Sequence, residues 1–92
     1  MEYHCYIVIY DLRAPGRNYE SLYQAIKNYG TWGKISQSAW AIVSSKNSVE
    51  IRDDLMKYLD RNDRLMIVKS GLDAAWVNAM ASKDWLQENL IK

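Results

Sequence analysis

The chain has one cysteine, one histidine, one proline and no phenylalanine, and each shortage excludes something. A single cysteine, Cys5, can form neither an intramolecular disulfide nor a CxxC metal site. Set in an apolar run, it reads as a small buried hydrophobe. The lone His4 has no second His or Cys at ligand spacing, which argues against zinc. It also stands at the opposite end of one strand from Asp11; at ~3.3 Å per residue the gap exceeds ~20 Å, so His4 cannot serve Asp11 within one chain. No repeat, linker or low-complexity segment interrupts the sequence. Long hydrophobic runs are missing too. The longest spans Cys5 to Tyr10, far short of the ~20 residues that cross a bilayer. The chain opens on a strand pattern with no basic segment and apolar core before it, so the expected setting is the cytoplasm, with no membrane.

Charge of one sign is equally scarce. Twelve basic and eleven acidic side chains leave a net charge of +1, whereas a general nucleic-acid binder usually carries a clear basic excess. Any phosphate contact must therefore be local. The P-loop, dinucleotide, zinc-protease and serine-hydrolase signatures are absent, which disfavours those chemistries.

What is present is a globular chain: 92 residues, 49% apolar, enough for one domain. At this size only ~60% of the unfolded surface can be buried, so pairing between copies would add stability. Seven tyrosines and four tryptophans supply large rings with polar handles, suited to half-wet surfaces and interfaces.

The run Tyr3–Tyr10, apolar at both parities and ended by Asp11, predicts a strand covered on both faces. A loop carrying Pro15 and Gly16 follows. Asn18 is the expected cap of a helix with Tyr19, Leu22, Tyr23, Ile26 and Tyr29 on one stripe, and Gly30 is its left-handed stop. Trp32–Ser45 reads as two short strands joined near Gln37–Ser38. Asn47 and Glu50 form a capping-box pattern before a second stripe of Ile51, Leu55, Tyr58 and Leu59, supported by an Asp53–Lys57 pair. Arg64–Ser70 is the fourth strand, ended by Gly71. The expected division is a domain over residues 1–71 and a tail over 72–92 with Trp76 and a short helix around Trp85, Leu86, Leu90 and Ile91, packed on the same domain or on a partner.

The β-α-β-β-α-β order predicts an α+β fold of the split βαβ, ferredoxin-like kind, an antiparallel sheet with both helices on one face. The opposite face must then be covered, because an exposed apolar face of that size is rare in a monomer. A second copy is the simplest cover, with the tail as an additional one.

Asp11 is the first candidate for chemistry. A carboxylate closing a hydrophobic strand can hold Mg²⁺ or Mn²⁺, which take hard oxygen ligands and can polarise a phosphoryl oxygen and supply a water nucleophile. One Asp makes a poor site, while two related by a dimer axis make a better one. The plainer alternative is a strand-end residue capping nearby backbone N–H groups. Arg13 and Arg17 flank the Pro-Gly turn, placed either to hold phosphate oxygens by paired hydrogen bonds or to stand as solvated loop charges pairing with Glu20. Trp32 and Trp40 can stack bases, although Trp40, among apolar neighbours, reads as core.

Tyr10–Asp11 closing the first strand, a helix ending in Tyr29–Gly30, Gln37–Ser38 before Trp40, and Asn62–Asp63 opening the last strand form a pattern over residues 3–70. It resembles the small CRISPR-associated family whose dimers form the central subunit of the spacer-integration complex, and it is similar to the virulence-associated protein D ribonucleases. The resemblance implies a ferredoxin-like homodimer in which the aspartate matching Asp11 binds a divalent metal and supports phosphodiester cleavage, with Ser38 near it; in other relatives the protein is only a scaffold for DNA. Two departures stand out: Arg13-Ala-Pro-Gly-Arg17 replaces a charged cluster, and the tail lies outside the pattern, as in a separate branch of short Cas-like bacterial proteins. The expected functions are a homodimeric Mg²⁺- or Mn²⁺-dependent nuclease using Asp11 and Ser38, with Arg13, Arg17 and Trp32 on nucleic acid, or a non-catalytic dimeric scaffold that binds nucleic acid, or a protein partner through the tail.

Overall fold

A computed structural model describes residues 2–14, 16–71 and 73–91. Pro15 in the first loop and Leu72 at the start of the tail lie outside them. Among the described residues the elements run β1 (His4–Asp11), α1 (Glu20–Lys27), β2 (Thr31–Ser36), β3 (Ala39–Ser44), α2 (Ser48–Met56), β4 (Arg64–Lys69) and α3 (Lys83–Asn89). The protein is α+β, with one four-stranded sheet in the order β2-β3-β1-β4. Every neighbouring pair is antiparallel. Since β2 and β1 both run against β3, and β4 and β3 both run against β1, each helix links two parallel strands across the strand between them.

Local chemistry explains the helix ends. Asn47 accepts the Glu50 N–H while the Glu50 side chain accepts the Asn47 N–H, a complete capping box. At α1 the capping residue sits one place earlier than a cap proper: Asn18 Oδ1 holds the Glu20 N–H at 2.8 Å, and Tyr19 occupies the cap position without a side-chain bond. Gly30 takes φ +94°, the left-handed conformation that lets the chain leave α1 and enter β2 at once. Asp53 pairs with the neighbouring Arg52 at 2.9 Å, in place of the expected Lys57. Tyr58 falls beyond the end of α2 and is exposed, so the α2 stripe is carried by Ile51 and Leu55.

The period-two alternation of β1 divides the core in two. Tyr6, Val8 and Tyr10 join Trp40 and Ile42 of β3 under Leu22 and Ile26 of α1 and Ile51 and Leu55 of α2. Both main helices therefore lie on one face, as their single stripes require. Cys5 points to the other face and is fully buried with Ala41, Val43, Leu86 and Leu90. That second cluster is made by α3, which folds back across its own sheet. Ser82 caps it by accepting the Trp85 N–H at 3.1 Å, and buried Asn89 donates to the Trp85 carbonyl. The tail also reaches the edge strand: β2 bulges between Lys34 and Ser36, and Met80 N–H donates to the carbonyl of Ile35 there. A used carbonyl at a bulged edge blunts further strand addition.

Gly33 is required beneath α3. A Cβ at that position would stand 2.9 Å from the Trp85 ring and 3.1 Å from Ala81 Cβ, so its absence lets the indole lie on the backbone of β2. The cover is incomplete toward the opposite edge. Ile9, Met66 and Val68, cross-strand neighbours on β1 and β4, remain exposed, Met66 by 58%. They form an apolar strip on the same face as Asp11 and Arg64.

Candidate functional site at the end of the first strand

Asp11 closes β1 opposite Arg64 of β4, and its carboxylate is half exposed. Arg64 Nη1 donates to Asp11 Oδ2 at 3.3 Å, and Arg13 Nη1 donates to the same oxygen at 3.2 Å. The loop that brings Arg13 there is tied by Asp63. Asp63 Oδ1 accepts the Arg13 backbone N–H at 2.6 Å and the Tyr19 hydroxyl at 2.9 Å, while Oδ2 accepts the Asp60 N–H at 2.8 Å. Burial pushes the Asp63 carboxyl upward, but the bonds from the Arg13 and Asp60 N–H groups and from Tyr19 outweigh it and hold its pKa below the ordinary carboxylate value. Burial, then the bond to Asp63, raises the Tyr19 hydroxyl.

Ser38 sits in the β2–β3 turn, and its carbonyl accepts the Tyr10 N–H at 3.0 Å. That bond carries the turn up to the end of β1. Tyr10 OH donates to the Gln37 carbonyl at 3.0 Å and accepts from Trp40 Nε1 at 2.8 Å; burial raises its pKa despite the Trp40 bond. Tyr10, Asp11, Leu12, Tyr23, Gln37 and Ser38 together line an open cleft of about 390 Å³. Asp11 and Ser38, 27 residues apart in sequence, thus share one site.

The other expected residues are placed differently. Arg17 turns away from Asp11: it pairs with Asp60 at 3.5 Å, donates to the Tyr58 carbonyl at 3.2 Å, and lies over the Tyr19 ring. Trp32 is on the helical face at the β2 edge, paired in register with Ile42 and Tyr6. That row is five residues from Asp11 along β1, about 16 Å at the strand rise. Trp40 is core, 2% exposed. His4 lies at the far end of β1, as its spacing required. Arg64 carries no sequence signal for this site, because only the β1–β4 register sets it against Asp11. Tyr23 and Leu12 of the cleft are equally silent in sequence, and both read there as ordinary stripe and loop residues.

Among the described residues no three His, Cys, Asp or Glu side chains gather at metal-binding distance. Asp11 offers one carboxylate, a hard oxygen donor. No helix of the described residues is long and apolar enough to cross a membrane.

A second cleft, of about 400 Å³, opens at the other end of the sheet between α1 and α2. Asp54 Oδ2 there accepts from Lys46 Nζ at 2.6 Å and from the Tyr29 hydroxyl at 3.0 Å. Those two bonds, Lys46 first, depress the Asp54 carboxyl; the same bond raises Lys46, and burial followed by Asp54 raises Tyr29. The trio ties the end of α1 to the β3–α2 loop.

No family model, no curated protein and no solved structure matches this chain. The likeness to the CRISPR-associated and virulence-associated families rests on the short motifs alone.

Proposed function

We propose that the chain is a ferredoxin-like homodimer and a divalent-metal-dependent nuclease centred on Asp11. The observation that carries this reading is the shared cleft of Asp11 and Ser38 at a strand end, beside an exposed apolar strip of Ile9, Met66 and Val68 on the Asp11 face. The strand order β2-β3-β1-β4 with two crossover helices is what supports the fold name. A second copy seated on the strip would cover apolar surface that a monomer leaves wet and would bring a second Asp11 toward the first across a twofold axis. The paired carboxylates would hold Mg²⁺ or Mn²⁺, which supplies Lewis acidity toward a phosphoryl oxygen. Arg13 and Arg64, now on Asp11, are positioned to take phosphate oxygens by charge-assisted hydrogen bonds, and Ser38 offers a hydroxyl within the same cleft.

The test is cleavage of labelled RNA and DNA with and without Mn²⁺. Wild-type cleavage should need the metal and fall at least a hundredfold in Asp11→Asn. Cleavage that survives this substitution unchanged rules the reading out.

A specific observation favours a second reading, a non-catalytic dimeric scaffold for nucleic acid in the cytoplasm. Two guanidinium groups already neutralise Asp11, and they oppose the approach of a divalent cation. This reading predicts nucleic-acid binding with no metal dependence and no cleavage.

A further inference from the structure

A ladder of rings and ammonium groups crosses the helical face from the β2 edge, through Trp40 of β3 and Tyr23 of α1, to Tyr10 of β1. Trp32 packs on Trp40 with centroids 5.3 Å apart, Trp40 stacks on Tyr23 at 6.3 Å, and Tyr23 meets Tyr10 at 6.3 Å. Lys27 places its ammonium 5.4 Å from the Trp32 centroid; Lys34 lies 5.3 Å from that of Trp40 and 5.8 Å from that of Tyr23. The charge arrangement sets this strip apart. Among the described residues, Lys46, Arg13, Arg17, Arg52 and Arg64 are each tied to a carboxylate. Lys27 and Lys34 have none within ion-pair distance and hold aromatic faces instead, a combination that no other described cation shares. In a chain of net charge +1, two positive charges without a bound acid therefore stand beside a row of rings.

The strip also has a direction. Trp32 stands at its outer end, 37% exposed, while Trp40 and Tyr10 are buried and serve as backing. Tyr23, half-buried, belongs both to the ladder and to the lining of the Asp11–Ser38 cleft. Rings and lysines thus lead along about 16 Å of strand into the candidate site.

We infer that this strip is a binding track for single-stranded nucleic acid that delivers the strand to the Asp11–Ser38 cleft. The inference rests on the nucleic-acid reading above and names its substrate class. A base stacked on Trp32 takes the face now held by Lys27, whose flexible stem lets the ammonium swing to the adjacent phosphate. Lys34 does the same at Tyr23. Stacking is indifferent to base identity and requires an open base face, which a duplex conceals; the track therefore selects strandedness rather than sequence. The chemistry is common to RNA and DNA, and the experiment separates them.

The test is fluorescence anisotropy with a labelled single-stranded RNA, a single-stranded DNA and a duplex of the same sequence, in EDTA so that cleavage consumes no probe. Wild-type protein is expected to bind at least one single strand at least tenfold tighter than the duplex. Trp32→Ala should weaken that binding about tenfold or more, while Trp32→Tyr, which keeps a ring, should retain most of it. The double substitution Lys27→Gln with Lys34→Gln should lower the slope of log affinity against log salt by about 1.4, two phosphate contacts' worth on a single strand. Thermal melting of each variant checks that it is folded, and Trp32→Tyr with the glutamine pair keeps the question decidable if Trp32→Ala unfolds. Equal binding of duplex and single strand, or an unchanged salt slope in the lysine double variant, overturns the track. Cleavage in Mn²⁺ is read separately. If Asp11→Asn abolishes cleavage while the ring and lysine variants bind as wild type, the nuclease stands and the track falls. If those variants lose single-strand binding while Asp11→Asn cleaves as wild type, the track stands and the Asp11 nuclease falls.

Discussion

The two faces of the sheet are built by different means. On one, two helices with clear apolar stripes close over Tyr6, Val8, Tyr10, Trp40 and Ile42. On the other, one seven-residue helix from the tail covers Cys5, Ala41 and Val43 and stops short of the β4 edge. The difference shows where burial is concentrated and where apolar surface stays open. The helical face buries the larger side chains, Tyr6, Tyr10 and Trp40 among them. The tail face rests on Leu86 and Leu90, each worth roughly 1.5–3 kcal/mol by burial, and leaves Ile9, Met66 and Val68 in water.

Excavating each face in turn separates them most clearly. Leu22→Ala on the helical face should cost about 3 kcal/mol and lower the denaturant midpoint of the whole domain. Leu86→Ala should cost about 2 kcal/mol, read mainly as faster amide exchange over Lys83–Asn89 with the sheet amides still protected. Equal costs in a single shared transition would mean that the faces are equivalent.

An effect similar in size to the loss of Leu86 is expected from the ties at the Asp11 end. Asp63→Ala removes acceptors from Arg13, Tyr19 and Asp60 and should cost about 2 kcal/mol. Its pH dependence has a definite sign. The folded pKa of Asp63 lies below its unfolded value, so the contribution is fully present above the unfolded value near ~4. It is lost as pH falls through the folded value, because the unfolded chain binds the proton more readily. Asp54, depressed likewise, adds to the same acid limb. Urea titrations across that range should therefore show a shallower acid loss in Asp63→Asn than in wild type; parallel curves would mean that Asp63 contributes nothing to the acid limb.

Gly33→Ala should be the mildest, about 1–2 kcal/mol of overpacking against Trp85. It should shift Trp85 fluorescence toward that of exposed indole while leaving the helical face intact. An unchanged spectrum and stability would show that the indole is free to move aside.

Much of the fold was legible because local signals and burial agreed. The apolar run ending at Asp11, the stripe of Leu22 and Ile26, the stop at Gly30 and the Asn47–Glu50 box each act over a few residues, so spacing alone reveals them. The site was legible only in part. Asp11 and Ser38 could be singled out, but their common cleft depends on the Ser38 carbonyl binding the Tyr10 N–H, a contact across 28 residues. Trp32 could be singled out as a stacking ring, but its meeting with Lys27, and that of Lys34 with Tyr23, depends on how α1 packs beside β2.

The elements, their order and the division of each strand into two faces are written locally, because helix stripes, caps and strand alternation are short-range and period-bound. That the tail covers part of the second face, that Arg64 meets Asp11, and that rings from β1, α1, β2 and β3 form one row emerged only on folding. Each of these depends on strand register and on packing between residues far apart in the chain, and no local pattern encodes such distances.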